Sequence, residues 1–204
     1  MLEPAAIAAP DGLHVDYHDR DHRTLREAYS PDGVSWTRFQ VIDGPGGFPG
    51  STSDEVGFYP CAIVLNHGGT TTINVFYTDA TVLRMRAAQL VVGPTFSGLW
   101  QFGVVDPWAG LPYSTQYAPV IHDSGMQVSY ANDFGQLSVA YGTGPGAFKL
   151  AAVDGQGPGD LTHGNGSLQD PMGFYVTAVE ANGTAPSVFY VDNITGMLRH
   201  AYWK

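Results

Sequence analysis

The feature that most constrains the fold is a pattern that occurs four times along the chain. Each copy is a run of alternating residues ending on a tyrosine, and the tyrosines lie 53 to 60 residues apart. A second short run follows six to eight residues later, so each copy predicts a β-hairpin with a polar turn. The tyrosines are Tyr17, Tyr77, Tyr130 and Tyr190, and the second runs begin at Leu25, Leu83, Leu137 and Leu198.

Two further segments complete the repeat. An apolar segment that opens on proline precedes every hairpin, and a proline at the first residue of a strand loses no ladder hydrogen bond. Three repeats continue into a segment that starts on an aromatic residue and finishes on aspartate. The prolines are Pro4, Pro60, Pro119 and Pro171, and the closing aspartates are Asp43, Asp106 and Asp154.

Four antiparallel strands per repeat, at this spacing, are typical of the blades of a β-propeller. We therefore predict an all-β fold, a β-propeller with four blades of four antiparallel strands and no helix of any length. An open β-sandwich is the alternative. The chain is predicted to form a single domain, 1–204, with blades at about 4–43, 60–106, 119–154 and 171–204.

The last blade is predicted to be incomplete, because the chain stops after "LRHAYWK", where the other repeats continue into an outer strand. The ring would close on a three-stranded blade, the edge at 198–203 would pair with another chain, or the chain is a shortened one. This edge strand is where we expect a homodimer contact.

The charge of the chain excludes two classes of partner. With 19 acidic and 9 basic side chains, the formal net charge is -10, which would repel nucleic acid and an anionic membrane surface. No apolar run approaches the roughly 20 residues of a membrane span. The single cysteine, Cys61, excludes an internal disulfide, and its apolar neighbours indicate a buried residue.

Glycosylation sequons favour a secreted protein. Asn165, Asn182 and Asn193 each begin an acceptor sequence of the kind found in secreted chains. Residues 1–10 lack the basic start and apolar core of a signal peptide, so secretion would require that the signal had been removed.

Two stretches resemble known propeller families. The hairpin "VFYVDNITGMLRHAYW" (188–203) resembles the blade repeat of fungal fucose-binding lectins. The stretch "AYSPDGVSW" (28–36) resembles the Asp-Gly turn of sialidase-like and glycosidase propellers, where it is structural. The first resemblance implies a lectin that holds sugar between blades by an arginine of the second strand, a glutamate of the third strand and an aromatic platform.

Carried onto this sequence, the lectin pattern is partly present. Glu27 matches the glutamate, and Trp36 or Trp100 would supply the aromatic face on which a sugar ring packs. His14 takes the place of the arginine, so the resemblance implies at most one fairly complete pocket, His14 with Glu27 and Trp36. Blade packing by the tryptophans and a solvated Glu27 are the alternatives. The other repeats carry Asn74, Gln127 and Ser187 at the arginine position.

Hydrolysis is one alternative function. In glycosidase propellers, paired carboxylates act as acid and base or nucleophile, and Asp170 before Pro171 resembles the start of their inner strands. Asp54 and Glu55 lie in the loop ahead of the second blade, where either could pair with Asp170. The Asp-Pro step is also an ordinary start of a turn.

An apolar cavity at one mouth of the propeller is another alternative. It would be lined by six aromatic residues, Phe48, Phe58, Tyr59, Trp108, Tyr113 and Tyr117. Such a cavity would bind or convert a hydrophobic small molecule. A scaffold role is a further possibility. No metal or other cofactor is expected, since His14 and His18 lie about 13 Å apart by the strand rise. The sequence thus predicts first a non-catalytic, lectin-like carbohydrate-binding propeller, and second an enzyme acting at its mouth.

Overall fold

The computed structural model describes residues 4–92, 99–107, 116–132, 136–154, 172–180, 185–192 and 195–202. Every regular element within these ranges is a β-strand, and no helix long and apolar enough to cross a membrane occurs in them. The predicted site residues Trp108, Tyr113 and Asp170 lie outside these ranges, as do the three sequon asparagines.

The strands form four antiparallel sheets of consecutive strands. The first blade contains β1 (Ala5–Ala9), β2 (Gly12–Asp19), β3 (Thr24–Ser30) and β4 (Arg38–Asp43). The second contains β5 (Val56–His67), β6 (Thr70–Asp79), β7 (Arg84–Val92) and β8 (Trp100–Asp106). The third contains β9 (Ala118–His122), β10 (Gly125–Ala131), β11 (Leu137–Gly142) and β12 (Lys149–Asp154). The fourth contains β13 (Met172–Val179), β14 (Ser187–Asp192) and β15 (Leu198–Tyr202).

This arrangement confirms the predicted fold class, an all-β propeller of four antiparallel blades. Three blades have four strands, and the described part of the fourth has three, in agreement with the prediction of an incomplete last blade. The homodimer contact at its edge strand stays a prediction.

The second and third strands have the same register in every blade. The repeat tyrosine of the second strand lies opposite Arg26 in the first blade and opposite Arg86 in the second. An alignment of the repeats on Leu25 and Leu83 would instead pair Arg26 with Arg84. The register shows that the true counterpart is Arg86, two residues later. The register therefore assigns Ala87, Val139 and His200 to the position that Glu27 occupies in the first blade.

A β-bulge interrupts the pairing of the third and fourth strands at the same place in three blades. It falls after Leu25, Met85 and Leu137, and each of these residues lies opposite the aspartate that ends its blade. Bulges re-aim the neighbouring side chains. The closing aspartates accept hydrogen bonds from the repeat tyrosine of the following blade, in the pairs Tyr77 to Asp43, Tyr130 to Asp106 and Tyr190 to Asp154.

Three apolar clusters fill the spaces between consecutive blades. Leu25 and Ile42 of the first blade pack with Val75 and Tyr77 of the second. A second cluster joins the second and third blades, and a third joins the third and fourth. Alternation along each second strand divides its side chains between the two neighbouring blades, so the core is distributed between sheets.

The first and fourth blades do not pack on each other as consecutive blades do. Among the described strands, extensive contacts join the first blade with the second, the second with the third and the third with the fourth. Strict alternation along the second strand predicts burial of Val15 and Tyr17 between neighbouring blades, as it does for Val75 and Tyr77. For Val15 and Tyr17 that prediction is wrong, because no described blade covers them and both are half-buried, whereas Val75 and Tyr77 are fully buried.

The Asp-Gly turn joins β3 to β4. Oδ1 of Asp32 accepts hydrogen bonds from the backbone N–H groups of Val34 at 2.8 Å and Ser35 at 2.6 Å, and Gly33 adopts a φ of 75°. These hydrogen bonds hold the pKa of the Asp32 carboxyl well below its usual range. The turn therefore has the structural role that its resemblance to other propellers implies.

Candidate functional site

The predicted pocket of the first blade is filled by its own side chains. Nδ1 of His14 lies 2.7 Å from Oε1 of Glu27, and both side chains are fully buried. The other carboxylate oxygen of Glu27 accepts hydrogen bonds from Nε of Arg38 at 3.2 Å and from Nε2 of Gln40 at 2.6 Å. Both oxygens of Glu27 are therefore engaged within the blade, and neither faces a ligand space.

The two tryptophans predicted as sugar platforms lie in different settings. Trp36 is an exposed residue of the turn between β3 and β4. Trp100 opens β8, is only 4% exposed and belongs to the apolar cluster between the first two blades. Trp100 is thus a blade-packing residue in this structure, whereas the ring of Trp36 is accessible.

The carboxylates predicted for hydrolysis are held by basic side chains. Oδ2 of Asp54 lies 3.3 Å from Nη2 of Arg84 and accepts a hydrogen bond from the Thr52 hydroxyl at 2.8 Å. Oε2 of Glu55 accepts a hydrogen bond from Nε of Arg23 at 3.1 Å. Since Asp170 lies outside the described residues, its pairing with either carboxylate stays a prediction.

The aromatic pocket predicted at the mouth is described at four of its six residues. Tyr59 has a φ of 51°, in the left-handed region, and packs at the edge of the cluster between the second and third blades. Trp108 and Tyr113 lie outside the described ranges. Within those ranges, no group of three or more His, Cys, Asp or Glu side chains is arranged to hold a metal ion.

One buried carboxyl group is left without a partner. Asp16 lies opposite Glu27 on the face of the first blade that meets the second, and neither of its side-chain oxygens makes a hydrogen bond with a described residue. Burial, together with the nearby charge of Glu27, raises the pKa of Asp16 well above its usual value. The group is therefore a source of pH-dependent stability.

In the second blade, the position that corresponds to the His14–Glu27 pair is occluded by the next blade. Nε2 of Gln89 donates to Oδ1 of Asn74 at 2.8 Å and to the backbone oxygen of Thr143 at 3.0 Å, which belongs to the turn after β11. A Cβ added at Gly103 would lie 2.8 Å from the backbone N of Gly146 in the same turn. The turn packs directly on the second blade and leaves no room for a ligand.

The corresponding position of the third blade is open. A cavity of about 510 Å³ lies there, on the face of the blade that packs against β13. Gln127 and Tyr141 line it, opposite each other on β10 and β11, together with Val139 and Ala151. Because Val139 stands where the first blade has Glu27, no ion cluster fills the space.

Polar groups of the cavity lack hydrogen-bond partners among the described residues. Gln127 is almost completely buried, and its Nε2 makes no hydrogen bond with any described residue. Nδ1 of His122, another lining residue, is also buried and has no hydrogen-bond partner in the described part of the chain. Tyr141 is 47% exposed, so part of its ring faces open space. The cavity thus combines an aromatic surface with unused hydrogen-bonding capacity.

Sequence reasoning missed this cavity as a site. In the sequence, Gln127 is only a departure from the arginine of the lectin pattern. That pattern indicates a site by its glutamate and does not indicate an open cavity. The available signal was the small pair Val139 and Ala151, which face each other on β11 and β12.

Comparisons with known proteins give similarity of fold. No protein-family model and no curated protein sequence matches the chain. Among solved structures, a mutant of AofleA from Arthrobotrys oligospora is 16% identical to this chain, with a TM-score of 0.62. The match covers 100% of this chain and 54% of the AofleA chain. The exo-β-1,3-galactanase of Phanerochaete chrysosporium is 14% identical, with a TM-score of 0.51. The match covers 98% of this chain and 49% of the galactanase chain.

The Aleuria aurantia lectin, whose structure is a six-bladed β-propeller, gives a similar result. It is 15% identical with a TM-score of 0.51, and the match covers 100% of this chain and 60% of the lectin. The chain therefore spans about half to three fifths of the lengths of these proteins. It resembles the fungal propeller lectins, and the fold that it shares with them is the β-propeller.

Proposed function

We propose that this protein binds a neutral saccharide in the cavity of the third blade. The observation that carries the proposal is the buried amide of Gln127, which lies in the wall of a cavity of about 510 Å³ and has no hydrogen-bond partner for its Nε2. A buried donor without a partner costs roughly 1–3 kcal/mol, so a ligand that accepts its hydrogen bond gains that energy.

The lining suits a sugar ring. Sugar rings have one apolar face that packs on an aromatic ring, and their hydroxyl groups both donate and accept hydrogen bonds. Tyr141 supplies the aromatic surface, while Gln127 and His122 supply the polar groups. The volume is within the range of ligand pockets, about 300–1,000 Å³.

The charges near the cavity favour a neutral ligand. None of its described lining residues is lysine or arginine, and Asp123 lies at the rim, largely exposed to solvent. An anionic sugar would find no counter-charge and would meet the field of a chain with a net charge of -10.

The solved structures support the saccharide class but leave the sugar open. The Aleuria aurantia lectin recognises fucose. In this chain the lectin's arginine and glutamate positions hold Gln127 and Val139 in the third blade, so we propose a neutral saccharide in general. Hydrolysis, a hydrophobic small-molecule ligand and secretion remain predictions.

A glycan array followed by titration calorimetry tests the proposal. We expect at least one neutral glycan to bind, and Tyr141→Ala and Gln127→Ala to weaken its binding at least tenfold. Gln101→Ala, which removes an exposed glutamine of β8 outside the cavity, is the matched control. Loss of binding in Trp36→Ala with full binding in Tyr141→Ala would move the site to the first blade, and silence across the array would reject the lectin proposal.

A further inference from the structure

The outward face of the first blade has the same residue types as the face by which the second blade packs on the first. We call it the receiving face. By strand register, it consists of Leu13, Val15, Tyr17, Arg26, Ala28, Phe39 and Val41, and the counterparts in the second blade are Ile73, Val75, Tyr77, Arg86, Ala88, Phe102 and Val104. The match extends across the second, third and fourth strands of the blade.

In the second blade most residues of this set form an interface with the first blade, while Val104 is 36% exposed. Val75, Tyr77 and Ala88 are fully buried against the first blade. The Tyr77 hydroxyl and Nε of Arg86 both donate to Oδ2 of Asp43, at 2.5 Å and 2.9 Å. The residue pattern of the receiving face is therefore one that this protein uses to hold a neighbouring blade.

The fourth blade uses the same pair of residues. The Tyr190 hydroxyl donates to Oδ2 of Asp154, and Nη1 of Arg199 lies 3.7 Å from the same oxygen. On the receiving face, the corresponding Tyr17 hydroxyl makes no hydrogen bond with a described residue, and Phe39 is 61% exposed. The receiving face is thus an inter-blade surface without a blade on it among the described residues.

The fourth blade has an uncovered surface that corresponds to the other side of such an interface, the side that the first blade presents to the second. We call its outward surface the presenting face. Leu198 is 72% exposed, whereas its counterpart Leu25 in the first blade is fully buried beneath the second blade. The rings of Phe189 and His200 stack with their centroids 4.6 Å apart on this face. The presenting face consists of Phe189, Val191, Leu198, His200 and Tyr202.

We propose that two copies of this chain associate head to tail, with the presenting face of one copy docked on the receiving face of the next. The two faces are complementary halves of one kind of interface, the kind already present between consecutive blades of the chain. Within one molecule, the described strands of the first and fourth blades do not pack together as consecutive blades do. A contact between different surfaces of two identical chains is heterologous, so it continues into larger oligomers or closes into a ring.

Sedimentation velocity of the full chain over a range of concentrations tests this contact. The wild type is expected to shift from monomer to larger species as its concentration rises. Phe39→Asp, on the receiving face, and Leu198→Asp, on the presenting face, are each expected to abolish the shift. Val34→Asp, at an exposed position of the β3–β4 turn outside both faces, is the matched control and should retain it. Thermal unfolding checks that all three variants are folded.

Mixing the two defective variants tests the head-to-tail geometry. The Phe39→Asp copy keeps an intact presenting face, and the Leu198→Asp copy keeps an intact receiving face. Their mixture should therefore form a dimer that does not grow further. A monomeric wild type at every concentration would overturn the proposal. So would a dimer that survives Phe39→Asp and is lost only in Leu198→Asp, which is the behaviour of pairing between two edge strands.

Discussion

The hydroxyl of Tyr77 donates a hydrogen bond of 2.5 Å to Oδ2 of Asp43, across the boundary between the second blade and the first. Both residues are fully buried, and Arg86 contacts the same oxygen from the second blade. The residue that defines the sequence repeat is therefore the residue that connects one blade to the one before it. The contribution of this tyrosine to stability therefore depends on whether another blade packs against its face.

Removal of the Tyr77 hydroxyl is expected to destabilise the protein. Tyr77→Phe leaves a buried carboxylate with one hydrogen bond fewer, which costs about 1.5–3 kcal/mol. Tyr17→Phe removes the same atom from the uncovered face of the first blade and should change stability by less than about 0.5 kcal/mol. Urea unfolding at a concentration where the protein is monomeric measures both. Equal effects would show that the inter-blade bond adds nothing.

Glu27 is expected to be a structural residue. Glu27→Ala would leave Arg38, Gln40 and His14 without their shared acceptor, and loss of a buried charged partner costs about 3 kcal/mol. Glycan binding at the third blade should be unchanged after correction for the unfolded fraction. Calorimetric titration at low temperature, where the variant is folded, measures it, and a selective loss of binding would return the site to the first blade.

The repeat and the blades were predictable because strand alternation and turn residues are local properties of the sequence. The state of the inter-blade positions was not predictable, because it depends on contacts between distant segments. Glu27 is hydrogen-bonded by Gln40, which lies opposite it on the next strand. This pairing depends on the register shift at the bulge after Leu25, and no sequence pattern predicts that bulge. The second-blade position is closed by Thr143 of the next blade, 54 residues from Gln89.

The turn at Asp32 is expected to lose stability in acid. Its hydrogen bonds to the backbone N–H groups of Ser35 and Val34 keep its pKa low in the folded state. A carboxyl group with a lowered folded-state pKa stabilises the fold above the pKa of the unfolded chain, near 3.9, and this contribution is lost as the pH falls. Asp32→Asn should therefore be less stable than the wild type at pH 7, with the difference shrinking toward pH 2 in urea unfolding. A constant difference would contradict the mechanism.

Asp16 is expected to show the opposite pH dependence. Burial and the charge of Glu27 raise its pKa in the folded state, so the folded protein binds a proton that the unfolded chain has already released at the same pH. Stability from this group is fully present below the unfolded pKa near 3.9 and is lost as the pH rises through the folded-state value. Asp16→Asn removes this titration with little change in volume.

The variant should therefore be more stable than the wild type at neutral and alkaline pH, and the difference should diminish as the pH falls toward about 4, below which it no longer changes. Urea midpoints measured from pH 3 to pH 9 give the curve directly. Asp21→Asn, at an exposed turn position, controls for the loss of one negative charge from a chain of net charge -10. If Asp16→Asn were less stable than the wild type at high pH, the folded state would have to stabilise the Asp16 carboxylate. That result would contradict the proposal, since neither oxygen has a hydrogen-bond partner among the described residues.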